Sequence, residues 1–158
     1  MTATTTSQRG LANMSDGTEY RENSQAVQAH LGIMQSVIQR MASNSSSCKA
    51  WCIALASAVL VLVADKSKPE YAWIAVIPTL LFLVLDAYYL ALEKAFRQSY
   101  NEFIDKLHRG RIEPSDLYAV VPSGSLLWQF LKALRSFSVW PMYLTLLGMI
   151  YLAKRFVM

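Results

Sequence analysis

Three stretches of the chain are almost free of charged residues, and short polar segments separate them. A helix needs about 20 residues to cross roughly 30 Å of hydrocarbon. Because the first two stretches are shorter than this, they can cross only if each extends past the charged residue at its end. We therefore predict three transmembrane helices, at residues 49–64, 71–92 and 137–154.

The first two predicted spans are joined by the sequence DKSKPE, which carries a proline and four charges and is typical of a tight polar turn. Two spans joined in this way form an antiparallel hairpin. A turn centred between Ser67 and Lys68 places Lys49 opposite Asp86. We predict that these residues form an interhelical ion pair at the cytoplasmic edge of the apolar layer, where each charge alone would cost about 2.5–3.5 kcal/mol if it were central.

Two alternatives to an intrachain structural pair remain open for Asp86. An acidic residue inside a membrane often marks an ion or proton path, so a small ion transporter that uses Asp86 is a competing interpretation. In a homo-oligomer, Lys49 and Asp86 could instead pair between subunits. Few other polar residues lie in the predicted spans, which favours the structural role.

Apolar residues upstream of the first span recur at alternating steps of four and three, which is typical of a helix–helix seam: Val27, Leu31, Met34, Ile38 and Met41. They predict a cytoplasmic amphipathic helix over 24–48. A similar pattern predicts that the second span continues as a cytoplasmic helix over 93–109. The two arms are expected to pack on each other, and the alternative is that each arm lies on the membrane surface.

The remaining segments complete an all-α membrane protein with three transmembrane helices, in which the first two form a long hairpin that extends into the cytoplasm. Residues 1–23 are rich in Thr, Ser and Gly and predict a disordered tail. Residues 110–136 predict a loop followed by an interfacial helix. Pro78, in the middle of the second predicted span, predicts a kink.

The composition supports a membrane location, because 54% of the residues are hydrophobic and only 16% are charged. The net charge of +4 is spread along the chain, which fits anionic lipid headgroups better than nucleic acid. Eleven of the 15 lysines and arginines flank the predicted cytoplasmic side. The positive-inside rule therefore predicts a multi-pass protein of the inner membrane with a cytoplasmic N-terminus and a periplasmic C-terminus.

The sequence contains no recognisable catalytic motif, phosphate-binding glycine loop or metal-spaced cluster, so we expect no enzyme activity, no cofactor and no metal. Cys48 and Cys52 lie one helical turn apart and could be a metal half-site shared between subunits, an acylated thiol or simple packing residues. His30 and His108 could form a pH-responsive cluster near Asp105 or act as ordinary polar residues.

The strings IMQSVIQRMASNSSSCKAWCIALASAVLVLVADK and LDAYYLALEKAFRQSYNEF, within residues 33–103, resemble a group of uncharacterised small multi-pass proteins of bacterial inner membranes. In its general architecture the chain also resembles membrane effectors of anti-phage systems. That resemblance implies a protein whose oligomers permeabilise the inner membrane. It implies no catalytic residues.

Together these features predict a non-enzymatic, self-associating integral membrane protein, with membrane disruption in bacterial defence as its candidate role. The expected partners are the lipid bilayer, further copies of the chain, and an unidentified cytoplasmic protein or signal. The first alternative is a passive scaffold or accessory subunit of a larger membrane complex. The second is the ion transporter based on Asp86.

Overall fold

The computed structural model describes residues 22–66 and 68–156, and all regular structure in these residues is helical. The elements in chain order are α1 (Gln25–Lys66), a 3-10 helix (Pro69–Ala75), α2 (Val76–His108), a short 3-10 turn (Pro114–Asp116), α3 (Leu126–Leu134) and α4 (Trp140–Phe156). The predicted all-α class is confirmed for this part of the chain. Most of the tail predicted over 1–23 lies outside the described residues.

Helices α1 and α2 form a long antiparallel hairpin, and their mutual contact is the most extensive in the molecule. The hairpin has two parts that differ in surface chemistry. We call residues 49–66 and 69–92 the apolar half, and residues 25–48 and 93–108 the polar half. Gln35 Nε2 donates a hydrogen bond to Tyr100 Oη at 3.4 Å, and this contact follows the same register that sets Lys49 opposite Asp86.

Small side chains allow the helices to approach closely along one face of α2. Ala87, Ala91 and Ala95 are almost completely buried at successive four-residue steps. Because residues four apart lie above one another on a helix, they form a single stripe. The first two of these alanines pack with Ala133 of α3 in one apolar cluster. The stripe thereby holds α3 against the hairpin.

The polar half has its own core, in which Val27 and Met34 of α1 pack with Phe103 and Leu107 of α2. The predicted seam of α1 therefore takes part in the contact between the arms. The other three seam residues, Leu31, Ile38 and Met41, are half-buried. The two arms pack on each other, as the apolar spacing predicted.

Gly110 ends the second arm and reverses the chain. Its φ of +63° is a conformation that glycine adopts at little cost. The N–H of Arg111 donates to the carbonyl of Lys106, and the N–H of Gly110 donates to the carbonyl of Leu107, both at 3.0 Å. This is a Schellman motif, which satisfies the last carbonyls of the helix. The chain then returns along α2 as an irregular segment, residues 111–125, which includes the 3-10 turn Pro114–Asp116 and which we call the strap.

Pro78 does not lie in the middle of a regular helix, in contrast to the sequence prediction. It lies in the first turn of α2, directly after the 3-10 helix that ends at Ala75. A proline has no N–H to donate and its ring crowds the carbonyl four residues earlier. The first turn of a helix tolerates both effects, so the change of helix type falls just before the proline.

Helix α4 runs beside the apolar half from the level of Phe82 to the hairpin turn. At its start, the Tyr143 hydroxyl donates to the Phe82 carbonyl at 3.0 Å. At its end, Lys154 Nζ lies 4.9 Å from the centre of the Trp73 ring. Among the described residues, two helices could cross a membrane by length and composition: α1, and the continuous helical segment Glu70–His108. Helix α4, with 17 residues, is shorter.

Candidate functional site: a buried polar cluster and a histidine under the strap

A cluster of three polar side chains lies inside the hairpin where its apolar and polar halves meet. Lys49 Nζ lies 2.6 Å from Asp86 Oδ1. Ser45, one turn before Lys49 on the same face of α1, donates its hydroxyl proton to that carboxylate oxygen. Lys49 Nζ is also 3.1 Å from Ser45 Oγ. The two residues of the predicted pair are therefore in contact within one chain, and Ser45 joins them.

The carboxylate of Asp86 is completely buried, whereas the Lys49 side chain keeps 23% of its surface exposed. Transfer of a charge out of water costs several kcal/mol unless a partner and hydrogen bonds compensate. Lys49 and Ser45 supply both on the Oδ1 side. The cluster is consequently a compensated charge pair and not an isolated buried acid.

The second oxygen, Asp86 Oδ2, is buried and has no hydrogen-bond partner among the described residues. Two other hydroxyls inside the apolar half donate to backbone carbonyls, Tyr143 to that of Phe82 at 3.0 Å and Thr79 to that of Ala75 at 2.7 Å. A buried oxygen without a donor is uncommon in proteins. It is the one atom of this cluster that could accept a proton or a further ligand.

Cys48 and Cys52 are buried free thiols beside this cluster. Cys52 packs with Ala56, Val139 and Tyr143 in an apolar cluster between α1 and α4. The described residues contain no group of three or more side chains that could hold a metal ion. Within one chain, the contacts of Cys52 are those of a small apolar residue.

A second polar site lies in the polar half, where the strap covers His30. The backbone N–H of Tyr118 donates to His30 Nδ1 at 3.0 Å. The imidazole is buried, and its ring centre lies 4.4 Å from that of Phe103. Burial lowers the pKa of His30 from its ordinary value of 6.5, and nearby Asp116 opposes this shift. The neutral imidazole thus holds the strap in place.

Further contacts fix the strap on α2. Ser99 Oγ donates to the carbonyl of Val121 at 2.6 Å, and Ser123 Oγ donates to Glu102 Oε2 at 2.6 Å. The hydrogen bond from Ser123 is the main reason why the pKa of Glu102 is lowered. The ammonium of Lys106 lies 2.7 Å from Asp116 Oδ1, and this contact lowers the pKa of Asp116 and raises that of Lys106.

The expected cluster around His30 is replaced by other contacts. His30 lies against Phe103 and Tyr118, not against Asp105. His108 has a different partner, since its Nε2 atom lies 3.6 Å from a carboxylate oxygen of Glu22.

Sequence reasoning missed Ser45 and the strap contacts of His30. The contact of Ser45 could have been predicted, because Ser45 lies one turn before Lys49 on the same face of the helix. The hydrogen bond to His30 could not, because its donor is a backbone N–H. Tyr118 adopts a φ of +63°, which is unusual for a residue with a side chain, and this turn directs its N–H at the histidine.

No family model matches the chain, and neither the curated proteins nor the solved structures contain a match to it. The physical chemistry of the two sites and of the surface is therefore the basis for a functional proposal.

Proposed function

We propose that this chain is a non-enzymatic integral membrane protein that crosses the bacterial inner membrane three times and self-associates there. The observation that carries the proposal is the surface of the apolar half. Only 22% of the most apolar 18-residue window of α1, and 28% of that of the second long helical segment, is buried inside the molecule. A core helix of a water-soluble protein would bury most of such a window.

Many of the exposed side chains of the apolar half are large and apolar. Trp51 is 64% exposed, Val61 68% and Ile77 71%. Contiguous apolar surface of this kind is typical of a membrane or a protein interface. Since it surrounds two long helices, lipid is the environment that satisfies it most simply.

The apolar half is also bounded by basic residues at both ends. Lys49 lies at one end of this part of α1 and Lys66 at the other. At 1.5 Å per residue they are about 26 Å apart, close to the roughly 30 Å of a hydrocarbon layer. Near the hairpin turn, Lys154 of α4 lies over Trp73, a pairing typical of the membrane interface. Because α4 covers the same depth, we assign it the third crossing.

Self-association is supported by small residues on the outer side of α1. Ala50, Ala54 and Ala58 are exposed and occur at four-residue steps. Such a small-xxx-small pattern lets two membrane helices approach closely and pack. Ala56, in contrast, is used inside the subunit against α4. A membrane-disrupting effector of bacterial defence would use such an oligomer to perturb the bilayer.

The test compares two substitutions on neighbouring positions of α1. Ala54→Phe should lower the oligomeric fraction measured by cross-linking in native membranes, because the bulky ring separates the helices. Ile53→Phe is the matched control, since residue 53 is already large and exposed and points in a different direction. Equal oligomeric fractions in both variants and the original would contradict assembly through this face.

The effector role is tested separately with inducible expression and a membrane-potential dye. Expression of the protein should depolarise the cells, and Ala54→Phe should reduce this effect. Cells that remain polarised and viable at high expression would exclude membrane disruption by the chain alone.

One observation favours a second candidate, ion or proton transport through Asp86: its Oδ2 atom is buried without a partner. Lys49 beside it argues against cation binding, because the site already holds a positive charge. A flux measurement with purified protein in liposomes distinguishes transport from a structural role of Asp86. If Asp86 takes part in transport, the original protein conducts protons or sodium ions and Asp86→Asn does not. If the pair is purely structural, neither the original protein nor Asp86→Asn gives a flux.

A further inference from the structure

The surface between α3 and α2 contains a groove that neither the charge pair nor the strap involves. Helix α3 is held on the hairpin by Ala133, and Leu126, Phe130 and Leu134 are half-buried in the same contact. Its opposite side is open, with Leu127 and Trp128 both about 70% exposed. The Ser125 hydroxyl accepts from the Trp128 N–H and fixes the start of the helix.

The groove has a volume of about 740 Å³ and combines an apolar lining with a basic rim. Its apolar part comes from Trp128, Leu131 and Leu134. Its charged part comes from Lys94 of α2, Lys132 of α3 and Arg135 at the end of α3. Volumes of 300–1,000 Å³ are typical of ligand sites that bind a molecule of moderate size.

The three cations of the rim have no acidic partner in the described part of the chain. Of the acids closest in sequence, Glu93 is paired with Arg97 on the adjacent turn of α2. The remaining ion pairs of the described residues involve Lys49, Lys66, Lys106 and His108. A concentration of uncompensated positive charge above an apolar surface attracts a ligand that is anionic at one end and apolar at the other.

The position of the groove along the hairpin narrows the choice of ligand. Lys94 lies two turns beyond Asp86, where the apolar half of α2 ends. On the proposed membrane placement, this is the depth of the lipid phosphates on the cytoplasmic side. Basic pockets beside transmembrane helices at this level bind anionic lipid headgroups, and an exposed tryptophan is typical of the same depth.

We infer that this groove is a binding site for one anionic phospholipid, whose phosphate lies among Lys94, Lys132 and Arg135 and whose acyl chains leave the groove past Leu134, toward the apolar half. This inference rests on the proposed function, because it takes its lipid from the bilayer in which the chain is embedded. The chemistry recognised is a phosphate joined to a hydrocarbon chain. A free phosphate would satisfy the rim but would leave the apolar part of the groove empty.

The experiment uses the full chain in a neutral detergent and three probes: phosphatidylglycerol, phosphatidylcholine and inorganic phosphate. Binding is measured by native mass spectrometry and by the shift of the thermal unfolding midpoint. Phosphatidylglycerol should bind most tightly, because it has both the net negative charge and the acyl chains. Equal binding of phosphatidylcholine would overturn the requirement for an anion, and equal binding of inorganic phosphate would overturn the assignment to a lipid.

The site itself is tested with Lys132→Gln/Arg135→Gln, which should weaken phosphatidylglycerol binding about tenfold or more. Both side chains are exposed, so the fold should be retained. The control is Arg109→Gln/Arg111→Gln, which removes the same charge from exposed positions at the far end of α2. An equal loss in both doubles, or no loss in the first, would overturn the site.

Failure of this inference and failure of the membrane proposal give different results. Carbonate extraction of membranes from expressing cells tests insertion without reference to any single lipid. A chain that stays in the membrane but shows no preference for phosphatidylglycerol disproves the groove alone. A chain released by carbonate disproves the membrane placement, and with it the bilayer as the source of the lipid.

Discussion

The two halves of the α1–α2 hairpin are built from the same helices, yet they differ in where their large apolar side chains lie. In the polar half, apolar residues such as Val27 and Phe103 are buried and the exposed positions are largely polar. In the apolar half, the buried contacts are made mainly by small residues, and the large apolar side chains point outward. The buried residues therefore do not indicate whether a half is surrounded by water or by lipid. The exposed residues do, because they are largely polar in one half and large and apolar in the other.

The Lys49–Asp86 pair lies close to the boundary between the halves, and its disruption is expected to have the largest effect. Lys49→Met leaves the completely buried Asp86 carboxylate without its cationic partner, and removal of one member of a buried pair typically costs about 3–5 kcal/mol. We expect a sharp fall in accumulation and in the thermal midpoint in detergent. The double variant Lys49→Met/Asp86→Leu should recover most of the loss, because no uncompensated charge remains.

Two further variants test whether Lys49 and Asp86 stabilise the protein by pairing with each other or whether each charge is required separately. Exchange of the two residues, Lys49→Asp with Asp86→Lys, should accumulate better than Lys49→Asp alone. Lys66→Met is the control, because Lys66 and Asp65 form an exposed pair at 3.5 Å. Exposed pairs contribute little to stability. Failure of the exchange to improve on the single substitution would argue against direct pairing.

A smaller effect is expected from a charge on the exposed surface of the apolar half. Leu81 is 57% exposed and lies near the middle of this part of the hairpin. In a membrane, Leu81→Asp should cost about 2.5–3.5 kcal/mol of insertion free energy. The fraction of chain that resists carbonate extraction should fall accordingly.

The matching change in the polar half is Gln39→Asp, also at an exposed position of the hairpin. It should leave the carbonate-resistant fraction unchanged, because that surface is proposed to face water. Similar behaviour of the two aspartate variants would mean that both halves have the same surroundings, and the comparison between them would fail.

Much of the hairpin could be predicted from the sequence because its signals are carried by side chains. The proline and charges of the turn predicted the register of the two helices. In that register Lys49 and Asp86 lie opposite each other, and their opposite charges predicted a contact between the helices. The spacing of the α1 seam likewise predicted which face packs on α2. These features depend on residue type and interval, which a sequence displays directly.

The strap could not be predicted in the same way because backbone atoms make its main contacts. The Tyr118 N–H binds His30, the Val121 carbonyl binds Ser99, and the Ser123 N–H binds the Ala95 carbonyl. Every residue other than proline has these groups, so the sequence carries no mark of which ones are used. The 3-10 helix before Pro78 could not be predicted for a related reason: the change from 3-10 to α-helix is a change in backbone hydrogen bonding, which no residue type specifies.

The strap also gives the smallest of the expected effects, a dependence of its stability on pH. Burial lowers the pKa of His30 in the folded chain, so the unfolded or opened segment binds a proton more readily. Above about pH 6.5 the histidine is neutral in both states and the bond from Tyr118 is intact. As the pH falls below 6.5 toward the lower folded pKa, the closed strap is progressively destabilised, because protonated His30 cannot accept the Tyr118 N–H.

The charged groups near His30 modify this response without reversing it. Asp116 favours protonation of the imidazole, and Lys106, paired with Asp116, reduces its effect.

Loss of one hydrogen bond of about 1 kcal/mol corresponds to roughly fivefold faster amide exchange through local opening. Hydrogen exchange of residues 111–125 at pH 7.5 and pH 5.5, corrected for intrinsic rates, measures this change. His30→Gln should abolish the pH dependence whether or not its amide binds Tyr118, whereas His108→Gln should retain it. A response that survives His30→Gln would show that another group titrates between pH 5.5 and pH 7.5, and the bond from Tyr118 to His30 would then not be the pH-sensitive contact of the strap.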